Sequence, residues 1–242
     1  MRKKLTITFE EAKEPINGAV TKFGGQPVWI EKPEWAVSRS TGKPMMFIGQ
    51  IRLEEEIFGQ TESKMAYLFM TEEEDFVDGT WDPNSGENAV IIQPGGNNPP
   101  SAPIETGQTL CVFKEIPGES RLKPFPCEFA VEKAEIAADT EKLFHDEFDD
   151  EYADFEDEPV EESDFSTDDS DEEEPGFENK VGGYPNFLQA EEYPDKNKED
   201  WNLLLQLDSG STPFDINFGD VGIGYAFISK DGKTGKFLWQ CG

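Results

Sequence analysis

The side chains that could do chemistry in this chain are carboxylates and amides, not histidines or thiols. The 242 residues include 52 Asp and Glu but one histidine, His145, which lies in no triad or metal-ligand spacing. The cysteines Cys111, Cys127 and Cys241 are far apart, a pattern that favours neither a disulfide framework nor a zinc site. The motifs GxSxG, GxxxxGK[ST] and HExxH are absent from the sequence. We therefore assign no catalytic residue, metal or cofactor, and an enzyme is the less favoured class.

Two glutamines and two aspartates are the candidates for lining a polar cleft. Gln50 and Gln206 each interrupt an apolar run, MMFIGQI and NLLLQL, and a buried amide must find hydrogen-bond partners. The favoured interpretation is that they hold loops or the junction between two internal repeats; the alternative is that they line a cleft. Asp208 follows LLLQL and Asp220 lies within FGDVG, where an aspartate commonly closes a turn on its own backbone. The alternative function is therefore an enzyme or small-ligand-binding protein with such a cleft.

An acidic block dominates the charge of the chain. The 29 residues from Asp146 to Glu174 include 18 Asp or Glu and no Lys or Arg, and the net charge of the whole chain is −31. Aromatic residues 144, 148, 152 and 155 recur at helical spacing, which predicts an acidic helix, whereas residues 161–174 have no period and predict a mobile acidic loop. The candidate partner-binding residues are Phe148, Asp149, Asp150, Tyr152, Phe155 and Asp157.

The negative net charge of the chain disfavours some classes of binding partner and favours others. A strongly negative protein is repelled by phosphate backbones and anionic lipid, so direct binding to nucleic acid or a membrane surface is disfavoured. No run approaches the about 20 consecutive apolar residues that a membrane span needs. Clustered carboxylates with interleaved aromatics favour a basic protein as partner. The alternative is that the acidic block is only a solvated linker.

Four segments on one side of the acidic block have counterparts on the other, in the same order. The pairs are KFGGQPVW and KVGGYPNF, MMFIGQI and NLLLQL, AYLFMT and YAFISK, and AVIIQPG and KFLWQCG. We predict two internal repeats, residues 20–95 and 177–242. Each apolar run has the length of a strand and is bounded by turn residues. Asp208 and Asp220 have no acidic counterpart in the first repeat.

The elements add up to an α+β fold dominated by antiparallel strands. Two further strands are predicted between the repeats, in residues 105–140, followed by the acidic helix and disordered loop in residues 141–176. The repeats would share one core, so residues 1–242 form a single compact domain. The first twelve residues alternate apolar and polar side chains, which predicts a strand and not a signal peptide. Dispersed cysteines then favour a cytoplasmic protein.

The motifs in these segments resemble the YwqG-like family of bacterial proteins. The resemblance rests on KFGGxPxW and GKPMMFIGQI in the first half and on GGYP, LLLQLD and FGDVG in the second. It implies a two-repeat α+β fold with no established activity, catalytic residues or cofactor. Because members are often encoded near toxin and immunity genes, it implies at most an immunity-like role. We therefore expect a noncatalytic cytoplasmic protein that captures a basic macromolecular partner, such as a toxin; the sequence leaves its oligomeric state open.

Overall fold

The computed structural model describes residues 1–73, 77–119, 121–141 and 177–242. Within them the chain forms one short α-helix, two short 3₁₀ turns (Lys198–Asp200 and Ser209–Ser211) and fourteen strands. The predicted acidic helix and loop, with all six candidate partner-binding residues, lie outside the described residues. The elements are β1 (Arg2–Glu11), β2 (Lys22–Gly24), β3 (Trp35–Ala36), β4 (Met46–Arg52), α1 (Glu55–Phe58), β5 (Met65–Met70), β6 (Asn88–Gln93), β7 (Ser101–Ala102), β8 (Cys111–Lys114), β9 (Lys123–Pro126), β10 (Glu128–Asp139), β11 (Lys180–Gly182), β12 (Trp201–Asp208), β13 (Ile223–Ser229) and β14 (Gly235–Gln240).

Ten of these strands form one antiparallel sheet, in the order β14-β13-β12-β11-β1-β10-β2-β4-β5-β6. The long central pair β1 and β10 runs in register from Arg2 opposite Asp139 to Glu11 opposite Phe129, with an irregularity between Leu5 and Ile7. The short pairs β3–β7 and β8–β9 lie outside this sheet. The described chain is therefore mostly antiparallel β, as predicted.

The sheet curves until its two edge strands, β6 and β14, contact each other. At this contact a Cβ added to Gly235 of β14 would lie 2.9 Å from the carbonyl oxygen of Val90 in β6, so only glycine allows the approach. Beyond the strand ends, the Asn97 backbone N–H donates to the Lys233 carbonyl at 2.6 Å. We call this contact between β6 and β14 the seam. It leaves the sheet nearly closed, which limits exposure of unpaired strand edges.

Both faces of the sheet are buried in each half. Along β5, Met65, Tyr67 and Phe69 belong to an outer cluster that also contains Trp35, whereas the alternate residues belong to the central core. In the other half the outer cluster contains Phe187, Trp201, Tyr225 and Phe227. The loops after β2 and β11 cover these outer faces. Burial on both faces explains why the strands are continuous apolar runs instead of alternating ones.

The apolar runs identified in the sequence all form strands. The runs MMFIGQI, AYLFMT and AVIIQPG overlap β4, β5 and β6, and their counterparts overlap β12, β13 and β14. The alternating first twelve residues form β1. Strand formation was predictable here because length and bounding turn residues are local properties.

Candidate functional site

In the first half, Gln50 and Tyr67 hold the loop that follows β2. Gln50 is fully buried; its Oε1 accepts from the Val28 backbone N–H at 2.8 Å and its Nε2 donates to the Val20 carbonyl at 2.8 Å. The Tyr67 hydroxyl donates to the Val28 carbonyl at 2.9 Å and accepts from the Ile30 N–H at 3.1 Å. Burial raises the pKa of Tyr67, so it stays neutral. Both side chains thus bind the backbone of the loop, and Gln50 also binds the segment that precedes β2.

In the second half, Gln206 and Tyr225 do the same for the loop that follows β11. Gln206 is fully buried; its Oε1 accepts from the Asn186 N–H at 2.8 Å and its Nε2 donates to the Glu178 carbonyl at 3.0 Å. The Tyr225 hydroxyl donates to the Asn186 carbonyl and accepts from the Leu188 N–H, both at 2.9 Å. The glutamine faces the tyrosine across neighbouring strands in each half, because Gln50 pairs with Tyr67 and Gln206 with Tyr225 in register.

Two further glutamines extend this pattern at the ends of the edge strands. Gln93 Oε1 accepts from the Glu31 N–H at 3.2 Å, and Gln240 Oε1 accepts from the Gln189 N–H at 3.0 Å. Gln50 and Gln206 themselves are separated in the sheet by four strands. The described structure therefore does not bring the two together in one cleft; each amide has protein partners at both ends.

The two candidate aspartates lie in turns. Asp208 is buried at the end of β12, where its Oδ1 accepts from the Gly210 N–H at 2.9 Å and its own N–H donates to Asn179 Oδ1 at 2.8 Å. Asp220 is exposed, and its carbonyl accepts from the Gly242 N–H at 3.1 Å. Neither these two residues nor Gln50 and Gln206 line the three cavities described below.

Each Gly-Gly turn brings a buried lysine to a carboxylate of β10. The Lys22 ammonium forms an ion pair with Glu128 and donates to the Gln26 carbonyl at 2.7 Å. The Lys180 ammonium lies 3.2 Å from Asp139 Oδ2. Burial alone would raise the pKa of Asp139, but hydrogen bonding from the Tyr184 N–H and the charge of Lys180 lower it overall. The two ends of β10 thus anchor the two turns.

A cavity of about 310 Å³ lies at the seam, between the two halves of the sheet. Its walls come from the segment after β3, the segment that leads into β6, the turn after β6 and the start of β14. Among the described residues, the charged ones that line it are Arg39 and Lys236, both cations. The uncharged polar lining includes Asn84, Asn88 and Asn97. We call it the seam cavity.

The two cations of the seam cavity are held by neutral oxygens. The Lys236 ammonium donates to the Pro83 carbonyl and to Asn84 Oδ1, both at 2.9 Å. Arg39 Nη1 donates to the Ser85 carbonyl at 3.1 Å and approaches the Asn84 carbonyl at 3.4 Å. Burial is the main cause that lowers the pKa of Lys236; the charges of Asp82 and Asp195 oppose this decrease, whereas the charge of Arg39 adds to it. Sequence analysis missed both residues, since a single Arg in SRS and a Lys in GKFLW carry no motif.

Two other cavities differ in charge. One, of about 420 Å³, has residues of both signs in its walls, Glu62 and Asp231 with Lys230 and Lys233. The other, of about 290 Å³, is lined by Glu72 and by Trp239 of β14, whose indole N–H has no hydrogen-bond partner among the described residues. Burial raises the pKa of Glu72, and the charge of Asp215 adds to the rise.

The thiols of Cys111 and Cys127 are not activated nucleophiles. Burial raises the pKa of Cys127 to about 12 and raises that of Cys111 as well, with the charge of Asp215 adding to the latter. Among the described residues no group of three His, Cys, Asp or Glu side chains could hold a metal ion. His145 lies outside the described residues.

A family model described as "Domain of unknown function (DUF1963)" matches residues 21–237. The resemblance to YwqG-like proteins falls within this family. No curated protein matches the chain. In the described part of the chain, no helix has the length and apolar character needed to cross a membrane.

Proposed function

Since the chain belongs to the family of the DUF1963 domain, whose function is unknown, we propose that it is a noncatalytic binding protein that captures a basic protein partner. The acidic block from Asp146 to Glu174 would supply the binding surface. Its carboxylates would steer association, and Phe148, Tyr152 and Phe155 would supply buried aromatic anchors. The immunity-like role implied by the family resemblance is the special case in which the partner is a toxin.

The observation that carries the proposal is the concentration of charge. The acidic block contributes more than half of the net charge of −31 and contains no basic residue. Opposite charge on a partner raises association rates strongly at low ionic strength, an effect that salt screens over about 10 Å at 0.1 M. Aromatics spaced among the carboxylates are uncommon in purely solvating segments, which are poor in such residues.

The attachment of the acidic block to the fold supports a binding segment that the fold does not need. The strands on either side of it, β10 and β11, both pair with β1. Asp139 at the end of β10 accepts hydrogen bonds from the Lys180 ammonium at 3.2 Å and the Tyr184 N–H at 2.9 Å. The end of β10 therefore lies next to β11, the strand that follows the acidic block. We therefore expect that a short link can replace residues 146–174 without moving either strand.

The test compares the full chain with a variant that lacks residues 146–174. Both are used for affinity capture from the lysate of the native host at low and high salt. We expect a basic protein that the full chain retains and salt releases, and that the deletion variant does not retain. The purified partner is then titrated against the triple variant Phe148→Ser, Tyr152→Ser, Phe155→Ser, which keeps every carboxylate and should bind about tenfold or more weakly.

A matched control changes carboxylates elsewhere. Glu55→Gln and Glu56→Gln alter two exposed acids of α1 and should leave partner binding unchanged. Thermal unfolding establishes that the deletion variant is folded. Equal capture by the full chain and the deletion variant, or no capture by either, would contradict the proposal.

We also infer that the two halves are structural repeats related across the β1–β10 pair. Sheet order supports this, because β2-β4-β5-β6 on one side of that pair mirrors β11-β12-β13-β14 on the other. The equivalent hydrogen bonds of the glutamines and tyrosines support it as well. The predictions in the Discussion test this equivalence.

A further inference from the structure

The seam cavity is positively charged in a strongly negative protein. Arg39 and Lys236 are the charged residues of its lining, and within the described residues neither has a carboxylate oxygen within 4.0 Å. The net charge of −31 would attract cations to most of the surface. Asp82 and Asp195 act on Lys236 only from beyond ion-pair distance, so among the described residues two cations converge on one cavity without a directly paired carboxylate.

Both cations have N–H donors that make no hydrogen bond to the described residues. An ammonium has three N–H donors, and Lys236 uses two of them on Pro83 and Asn84. A guanidinium has five, and in the described structure Arg39 donates through Nη1 alone, to backbone carbonyls. The remaining donors of the Arg39 fork suit the paired oxygens of a carboxylate or phosphate, which arginine binds in a bidentate manner.

The rest of the lining suits an organic ligand. The Asn97 side-chain amide makes no hydrogen bond to the described residues and is free to bind a ligand. The apolar part of the wall consists of Val37, Met45, Ala89, Val90, Pro99 and Pro100. Ligand sites are mostly apolar with a few polar groups that fix orientation, and this cavity has that composition.

The volume sets the size of the ligand. About 310 Å³ holds about ten water molecules at roughly 30 Å³ each, and it lies at the lower end of the range for small-molecule sites. We infer that the seam cavity binds a small organic anion whose phosphate or carboxylate group lies between Arg39 and Lys236 and whose apolar body lies against the proline and valine wall.

The energetics favour an anion as the occupant. Desolvation of the half-buried Lys236 ammonium lowers its pKa, and the charges of Asp82 and Asp195 offset this only in part. An anion in the cavity would supply a directly paired negative charge and use the free donors of both cations. The inference does not depend on the acidic block, since every residue it uses belongs to the described fold. It therefore goes beyond the capture of a basic partner.

The test uses the full chain and three probes with the same apolar ring. Phenyl phosphate and benzoate carry an anionic group, and benzamide is their neutral counterpart. Each is titrated against ¹⁵N-labelled protein. We expect the two anions to shift the amide signals of Gly86, Asn97 and Gly235 in a saturable manner, and benzamide to bind about tenfold or more weakly. Comparing the two anions shows which headgroup the cavity prefers.

Variants locate the binding group. Arg39→Gln and Lys236→Gln should each weaken binding of the better anion about tenfold or more. Lys233→Gln, on the adjacent turn but outside the cavity lining, makes the same change in charge and should leave binding within about twofold. Arg39→Lys keeps the charge without the fork and should give an intermediate loss.

The outcomes decide the inference without relying on any one variant. Shifts confined to the seam in the unaltered protein support it even if a variant fails to fold. Absence of saturable binding by both anions overturns it, as does binding of benzamide equal to that of the anions. Equal weakening by Lys233→Gln and Lys236→Gln would also overturn it, because the effect would then come from overall charge.

Discussion

The lysines Lys22 and Lys180 hold the same position in the turns KFGGQP and KVGGYP, yet the two halves surround them differently. The Lys22 ammonium has Glu128 and two backbone carbonyls as partners and is 1% exposed. Within the described chain the Lys180 ammonium has one directly paired group, Asp139, which also lies 3.7 Å from Lys4. In the first half, one ion pair and two nearby carbonyls neutralise and solvate the lysine. In the second half, the lysine shares its carboxylate partner with a second lysine.

The loop anchors show the opposite result, since they agree in detail. In each half a buried glutamine and a buried tyrosine bind backbone N–H and C=O groups of the covering loop. The loop side chains differ, with QPVWI in one half and YPNFL in the other. An anchor that binds backbone tolerates such differences, because every residue offers the same N–H and C=O groups. The comparison therefore separates a shared framework from a divergent electrostatic centre.

The largest expected loss of stability comes from replacing the lysine of either Gly-Gly turn. Lys22→Met removes the ion-pair partner of the partly buried Glu128 carboxylate and should lower the free energy of unfolding by about 3–5 kcal/mol. Lys180→Met should cost less, about 1–3 kcal/mol, because Asp139 keeps the Tyr184 N–H and Lys4. Urea denaturation at pH 7 measures both.

A double variant tests whether the unpaired charge of Glu128 causes the loss of stability in Lys22→Met. Lys22→Met with Glu128→Met removes both charges, and it should recover most of the stability lost in the single variant, since an apolar pair leaves no buried charge. Equal losses for Lys22→Met and Lys180→Met would contradict the proposed difference between the two sites.

Replacement of the buried glutamine should cause a smaller loss of stability, and the loss should be the same in both halves. Gln50→Leu leaves the Val28 N–H and the Val20 carbonyl without partners, and Gln206→Leu does so for Asn186 and Glu178. Each should lower the free energy of unfolding by about 1–3 kcal/mol, with the two values within about 1 kcal/mol. Urea denaturation of both variants gives the values. The exposed Gln108→Leu is the control and should change stability by less than about 0.5 kcal/mol. Unequal losses would argue against a shared framework.

The sheet was predictable because its signals are local. The runs around Phe47, Leu68, Leu204 and Phe227 have strand length and bounding turns, and each formed a strand. The Gly-Gly turns were predictable for the same reason, and their glycines have the positive φ angles that such turns require. What length and composition left open was the order of the strands, because β1 and β10 meet in the centre from opposite ends of the first 139 residues.

The seam cavity was not predictable, because it arises only when the sheet closes on itself. Arg39 and Lys236 are 197 positions apart in the chain, and no spacing rule connects them. The approach of β6 to β14 depends on Gly235, a glycine that from the sequence reads as part of an ordinary turn, DGKTGK. Sequence reasoning instead favoured residues that interrupt apolar runs, Gln50 and Gln206, which turned out to have partners in the loops.

The tyrosines test the same framework with a single group. Tyr67→Phe and Tyr225→Phe each remove one hydroxyl that donates one hydrogen bond and accepts another. We expect losses of about 1 kcal/mol for each, smaller than for the glutamines because the ring still fills its site. Tyr184→Phe is the control, since the contact of that residue with Arg2 is through the ring and remains. Thermal and urea unfolding should agree, and a loss in only one half would mean that one loop is held mainly by other contacts.

The smallest effect is the response to acid, to which each half contributes a carboxylate of lowered pKa. Burial opposes ionisation of Glu87, but hydrogen bonds from Ser38, Ser40 and Thr71 lower its pKa overall, and that of Asp139 is lowered as described. A carboxylate whose pKa is lower when folded stabilises the fold above its unfolded pKa, about 4, and that contribution disappears as the pH falls through the folded value. Glu87→Gln and Asp139→Asn should therefore each lose less stability than the unaltered protein between pH 7 and pH 3, in urea titrations at several pH values. Asp139 is paired with the cations Lys4 and Lys180, whereas Glu87 accepts hydrogen bonds from neutral groups. Added salt screens charge pairs, so it should reduce the difference in acid sensitivity between Asp139→Asn and the unaltered protein more than the corresponding difference for Glu87→Gln. An equal salt effect on the two differences would show that the charges of Lys4 and Lys180 are not what lowers the pKa of Asp139.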